Sequence, residues 1–220
     1  MTQDVIADLA RIRIVPVVVI DDAAAAAPLA EVLASGGLRC AEITLRTPAA
    51  MDAIAALADY PELLVGAGTV LDAEQAARAV GAGARFVVSP GFDGEVVEAC
   101  RRLGVPVLPG TATPTEIQQA MRAGLAAVKF FPAETLGGVQ ALSAMAAPFP
   151  GFSFVPTGGI TPVNVQPYLQ HPSVLAVGGS WMAPRKLIAS KAWGEIAELA
   201  AGAARLAADN PAPESAGGVR

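Results

Sequence analysis

Short apolar runs alternate with longer amphipathic stretches along most of the chain. The runs are IVPVVVI (14–20), RCAEITL (39–45), LLVGAG (63–68), RFVVS (85–89), VPVLPG (105–110), AAVKFF (126–131), SFVPTG (153–158) and VLAVGG (174–179). Most are apolar throughout, the pattern of parallel strands covered on both faces. The stretches between them carry helix-start chemistry. Asp22 caps the first, with Gly36-Gly37 as its stop, and Thr47 caps the second with Pro48 at the first helical position. Asp72, Asp93 and Thr113-Pro114 open the next three, and Thr161-Pro162 repeats the Thr-Pro start. A side-chain oxygen at such a position accepts a backbone N–H that the first helical turn leaves unpaired, and Pro fits where no N–H is needed. Segment 2–12 reads as an extra helix placed to close a barrel floor.

Alternation of this kind predicts an α/β fold with parallel strands joined by right-handed crossovers. Eight strand–helix units predict a compact (β/α)8 TIM barrel with an extra N-terminal helix. An open doubly wound sheet is the alternative, but the first strand runs into VVVIDDAAA and not into a Gly-rich dinucleotide turn. Residues 1–208 are expected to form one barrel domain. The segment 209–220, DNPAPESAGGVR, is rich in Pro, Gly and Ser and is expected to be a disordered tail.

Composition narrows the partners. The chain has 220 residues, 53% of them hydrophobic, enough for one substantial core. Its formal net charge of −5 argues against nucleic acid or an anionic membrane as the main partner. Cys40 falls in a strand and Cys100 in a helix, the ordinary pattern of buried free thiols. The N-terminus MTQDVIADLARIRI lacks the basic flank and apolar core of a signal peptide, and no apolar run is long enough to span a membrane. A soluble cytoplasmic enzyme is the expectation.

One residue breaks the apolar pattern. Lys129 sits inside AAVKFF; the other two lysines, Lys186 and Lys191, lie near the C-terminus. Desolvating an amine is costly unless it is paired or used. In a barrel of this class chemistry gathers at the C-terminal ends of the strands. Period-two alternation puts Glu42, Thr44 and Arg46 on one face of the second strand and its exit, and Lys129 with Phe131 on one face of the sixth. A buried ion pair would account for Lys129 and Glu42 alone, but structural pairs have no reason to favour the loop end of the strands. Glu134, in the loop after the sixth strand, is the rival acid and reads as a solvated carboxylate. Desolvation favours an uncharged amine, which attacks carbonyls to form a Schiff base. The resulting iminium is an electron sink for carbon–carbon cleavage. Such a cleavage needs an amine, an acid/base and a carboxylate site, roles that Lys129, Glu42 and Arg46 fill.

The seventh and eighth strands end in TGGI (157–160) and GGSW (178–181). Bare backbone N–H groups in these loops are a recurrent phosphate site of such barrels, and Ser180 adds a hydroxyl; tight helix–strand packing is the competing explanation for the glycines. His171, the sole histidine, is expected on the surface near a helix end, so no histidine metal cluster or Ser/His pair can be assembled.

The motifs VPVVVIDD, AEITLRTP, VGAGTVLD, FVVSPGFD, PVLPGTATPTEI, VKFFPAE, FVPTGGI and VGGSWMAP, in this order over residues 5–190, resemble the 2-keto-3-deoxy-6-phosphogluconate (KDPG) aldolase family, which includes enzymes acting on 4-hydroxy-2-oxoglutarate (KHG). The resemblance implies a homotrimeric class I aldolase on a (β/α)8 barrel, with a phosphorylated 2-keto acid as substrate and no cofactor beyond the covalent imine. It implies Lys129 as the Schiff-base residue and Glu42 as the general acid/base. Arg46 and Thr69 would hold the pyruvate carboxylate, and Pro90 and Phe131 would line the pyruvyl pocket. Thr157, Gly158, Gly159, Gly178, Gly179 and Ser180 would contact the polar tail and its phosphate. Three readings stay open beside it: the galactonate epimer as substrate, a phosphate-binding decarboxylase or epimerase, and a non-catalytic phosphometabolite-binding barrel. The decarboxylase class places aspartates beside its strand lysine, and none neighbours Lys129.

Overall fold

A computed structural model describes residues 5–211. Eight strands form in chain order: β1 (Ile14–Val18), β2 (Cys40–Thr44), β3 (Leu64–Gly68), β4 (Phe86–Ser89), β5 (Val107–Thr111), β6 (Ala127–Phe130), β7 (Ser153–Pro156) and β8 (Val177–Gly179). Every strand pair is parallel, and the order runs from β7 down to β1 and then β8. Bridges Phe154↔Val174 and Thr157↔Gly178 join β7 to the β8 segment and close the ring. The open-sheet alternative is therefore excluded, and the fold is the expected barrel.

The helices that pack outside the ring are α2 (Ala26–Ser35), α3 (Ala50–Leu57), α4 (Ala73–Gly81), α5 (Gly94–Leu103), α6 (Pro114–Arg122), α7 (Gly138–Ala146), α8 (Val165–Leu169), α9 (Arg185–Ala189) and α10 (Trp193–Ala208), after α1 (Val5–Ile12). Several begin as the sequence predicts. Asp93 accepts the N–H groups of Glu95 and Val96 at 2.8 and 2.9 Å, and Asp72 accepts that of Gln75 at 2.7 Å. Thr113 and Glu116 form a reciprocal capping box with Pro114 in the first turn. Asp22 caps a 3-10 turn, Ala23–Ala25, that leads into α2.

Two predicted starts fall elsewhere. The Thr47 hydroxyl donates to the Ile20 carbonyl, so it ties two loops together and caps nothing; α3 begins after an intervening turn, at Ala50. The Thr161-Pro162 start is displaced by Asn164, whose side-chain oxygen accepts the Thr161 N–H at 2.7 Å and whose amide donates to the Gly159 carbonyl at 3.2 Å. Helix α8 starts only at Val165. At the termini, residues 1–4 and 212–220 lie outside the described residues, and with them most of the expected tail. Asp209 closes α10, and the Asn210 carbonyl accepts from the buried Arg13 guanidinium at 3.1 Å.

Period-two alternation sorts the strands as expected. Outward residues such as Ile43, Val87, Val128 and Phe130 pack with the helices into the larger core. Inward residues Val15, Cys40, Leu64, Phe86, Leu108, Ala127 and Val155 fill the barrel's lower half, joined by Val5 and Leu9 of α1. Helix α1 thus plugs the floor, and the opposite end of the interior is left for other side chains.

Candidate active site

Above that apolar fill the inward side chains turn polar. Glu42 and Thr44 of β2 and Lys129 of β6 are buried, Glu42 at 3% and Lys129 at 6% exposure. Three strands lie between β2 and β6 on either side of the ring, so these two strands face each other across the barrel. Alternate strands feed the same interior layer, and long side chains on facing strands meet there. Lys129 Nζ lies 3.5 Å from Glu42 Oε1. That is within ion-pair reach, yet Oε1 is buried without a hydrogen-bond partner. A buried carboxylate oxygen left open in this way calls for an explanation, and a site waiting for a reacting group supplies one.

The local sequence makes room for this pair. In the register, Glu42 sits beside Val17 and Gly66, and Lys129 beside Gly110 and Val155, so no neighbouring strand sets a charge next to either. Gly68 clears the path of the Glu42 side chain: a Cβ there would lie 2.1 Å from Oε1. Gly66 admits the Phe86 ring in the same way, and Gly110 the Pro90 carbonyl. A glycine inside a strand marks a close approach. The spacing of Gly66 and Gly68 in LVGAG was the available signal for a space kept free on the inward face.

Lys129 and Glu42 line a cavity of about 710 Å³ that opens at the C-terminal ends of the strands. Its size and its mixed wall of charged, hydroxyl and apolar side chains suit a small polar molecule. Thr44, Arg46, Thr69, Pro90, Phe131, Thr157, Gly158, Gly159, Gly179 and Ser180 also line it. The Phe131 ring centroid lies 5.0 Å from Lys129 Nζ. Thr69 adopts φ +58°, a left-handed conformation that a β-branched residue rarely takes, directly after β3. Strain of this kind costs about 1–3 kcal/mol and clusters at functional sites.

The glycines at the ends of β7 and β8 divide. Gly158 and Gly159 have φ values of +104° and +76°, which favour glycine, and both line the cavity. Gly178, expected beside them, does not line the cavity. It abuts Thr157, whose Oγ1 would lie 2.3 Å from a Cβ at 178, so its bareness accommodates that side chain. Glu134 also lies outside the lining residues. Its carboxylate accepts from the Tyr168 hydroxyl, its Cβ packs under Gly159, and its N–H donates to the Gly158 carbonyl at 3.1 Å. The rival acid is thus a support for the glycine loop.

The remaining reactive types stand apart. Cys40 and Cys100 are buried free thiols, and burial pushes Cys100 up to about 11 and Cys40, which also faces Glu42, higher still. His171 is half-buried, not fully exposed, and its Nδ1 accepts the Ser173 N–H at 3.2 Å. Sequence reasoning missed Val17, Val19, Ile160, Trp181, Ala183, Pro184 and Arg185, which complete the wall. Among the described residues no helix is long and apolar enough to cross a membrane.

A family model for KDPG and KHG aldolase matches residues 5–199. The chain belongs to the KDPG and KHG aldolase family. It is 50% identical over 192 residues to a 2-dehydro-3-deoxy-phosphogluconate aldolase from Treponema pallidum, covering 87% of this chain and 91% of that one. Among solved structures it is similar to a KDPG aldolase from Legionella pneumophila with pyruvate captured as a covalent carbinolamine intermediate. That match has a TM-score of 0.88 and 40% identity, covering 92% of this chain and 99% of the other. A KDPG aldolase from Zymomonas mobilis with 3-phosphoglycerate matches with a TM-score of 0.86 and 40% identity, covering 94% and 98%.

Proposed function

We propose that the protein is a class I aldolase that reversibly cleaves KDPG to pyruvate and glyceraldehyde 3-phosphate, and also cleaves KHG to pyruvate and glyoxylate. The observation that carries this reading is the meeting of Lys129 and Glu42 across the barrel, 3.5 Å apart and buried, at the wall of a cavity that also holds Arg46. The Legionella relative's covalent pyruvate and the Zymomonas relative's phosphorylated three-carbon acid support the same chemistry.

The uncharged Lys129 amine adds to the C2 ketone and gives a carbinolamine. Glu42, holding the proton that Lys129 gives up on becoming a nucleophile, passes it to the departing hydroxyl, and loss of water gives the iminium. Glu42 then accepts the proton of the 4-hydroxyl. The bond between C3 and C4 breaks, its electron pair flows to the iminium nitrogen, and the aldehyde departs. The enamine left on Lys129 takes a proton at C3, and water hydrolyses the new iminium to free pyruvate. One carboxylate serves as base and then as acid, as general catalysis requires. The electron sink is the iminium, so the scheme calls for no cofactor. Arg46 and Thr69 hold the keto acid's carboxylate, while Pro90 and Phe131 enclose its three-carbon unit. Thr157, Gly158, Gly159, Gly179 and Ser180 receive the tail and its phosphate. The family resemblance further suggests a homotrimer in the cytoplasm, the former to be tested by sedimentation velocity.

Borohydride reduction in the presence of pyruvate tests the scheme. A stable adduct on the peptide carrying Lys129 is expected; an adduct on Lys186 or Lys191, or none, overturns it.

A further inference from the structure

The cavity wall carries a second permanent cation that the proposed scheme leaves idle. Beyond Ser180, at the start of α9, Arg185 lines the same cavity as Gly158, Gly159 and Gly179. Its Nε and Nη2 donate to the two carboxylate oxygens of Asp21 at 2.7 and 2.6 Å, a side-on bidentate pair. Asp21 follows β1 and is not among the lining residues, so the pair spans the loops after β1 and β8. A guanidinium has five N–H groups in a rigid plane. The edge facing Asp21 uses two. Both hydrogens of Nη1 and one of Nη2 stay free, held in a plane that Asp21 fixes.

The charge distribution points the same way. The chain is acidic overall, with a net charge of −5. Yet its cavity is lined by Arg46, Arg185 and Lys129 against one carboxylate, Glu42. Lys129 and Glu42 face each other, and Asp21 offsets part of the Arg185 charge from outside the lining, which leaves Arg46 and the free edge of Arg185 to meet the substrate's anionic groups. Arg46 leaves β2, while Arg185 follows β8, on the side of the glycine loops.

We propose that Arg185 is a specificity-determining residue for the substrate's phosphate, oriented by Asp21 and donating from its free edge. The proposal rests on the aldolase reading above. Glycine N–H groups alone would select an anion by shape; a preset guanidinium adds a charge-assisted contact that favours a phosphate over a neutral end.

The test compares KDPG with KHG, whose shorter chain carries no phosphate, in wild type, Arg185→Ala, Arg185→Lys and Asp21→Asn. Arg185→Ala is expected to lower the kcat/KM ratio of KDPG to KHG by about tenfold or more, the loss entering through KM. Arg185→Lys should recover part of that ratio. Asp21→Asn keeps one acceptor for the guanidinium but loosens its plane, so it should lower the same ratio by a smaller amount, about threefold. Equal losses on both substrates, or equal effects of Arg185→Ala and Asp21→Asn, would mean the pair only ties two loops together, and would overturn the proposal while leaving the aldolase intact. Wild-type protein that cleaves neither substrate would instead remove the underlying reading, and this proposal with it.

Discussion

Arg13 and Lys129 are both buried basic side chains of one barrel, and they are treated in opposite ways. Arg13 lies just before β1, at the floor, with 1% exposure. Its guanidinium donates to the carbonyls of Leu169, Val174, Leu175 and Asn210, so the α8–β8 connection and the end of α10 are fastened to one side chain. Its own backbone takes a left-handed φ of +63°, and its carbonyl accepts the Val177 N–H at 2.7 Å. Lys129, at the other end, has one ion-pair contact without hydrogen-bond alignment, an aromatic face and an open cavity. A fully satisfied buried guanidinium holds a structure together; an under-partnered amine beside an orphaned carboxylate is available for chemistry.

The largest expected effect is at the mouth. Lys129→Met should abolish covalent capture of pyruvate and reduce cleavage by about 10⁴-fold or more, since the nucleophile is gone. Met keeps most of the apolar stem of the side chain, and cavity water can solvate Glu42, so thermal stability should change less than in any Arg13 variant. Calorimetry alongside the borohydride assay checks both halves. A variant that loses stability but keeps its adduct would invert the comparison.

Glu42→Gln should come next, with kcat lower by about 10²–10⁴-fold while a reducible imine still accumulates. Gln preserves shape and removes proton transfer, so binding and chemistry separate. Undiminished turnover would return Glu134 to consideration, even though its carboxylate is bound to Tyr168.

At the floor the signature reverses. Arg13→Met strips the donor from four backbone carbonyls, and buried acceptors without partners are costly. A loss of about 3–5 kcal/mol is expected, seen as a Tm lower by about 10 °C, with kcat at low temperature close to wild type. A folded, equally stable Arg13→Met protein would show that the floor does not depend on this staple.

Most of the mouth was legible in the sequence because strand-end motifs mark it: Lys129 interrupts an apolar run, and Glu42 and Arg46 keep its period. The barrel followed from eight repeats of one unit. Arg13 was not legible. It sits at the junction of a helix and a strand, where no periodicity flags an inward side chain, and its partners are main-chain carbonyls with no residue signature. Arg185 escaped for a similar reason, since its relation to Asp21 spans 164 positions of chain. Thr47 and Thr161 looked like caps because capping is local, and lost that role to a loop carbonyl and to Asn164, which only the folded chain brings near.

The smallest effect is a pH dependence confined to the floor. His171 lies between Leu169 and Val174, both of which bind Arg13 through their carbonyls. Burial lowers its pKa from the ordinary 6.5, and its Nδ1 accepts the Ser173 N–H, which needs the neutral ring. As pH falls through 6.5 the unfolded chain takes up a proton that the folded chain resists. The unfolded state then binds more protons, so stability rises with pH and falls on acidification until the folded-state ring also titrates. Between pH 7.5 and 5.5 the wild type should therefore lose about 1–2 °C more in Tm than His171→Gln, a shift suited to a half-exposed group. Parallel Tm profiles in the two proteins would detach His171 from the floor. A steeper profile in the variant would mean that protonation strengthens the α8–β8 connection, in spite of the cation that Arg13 already contributes there.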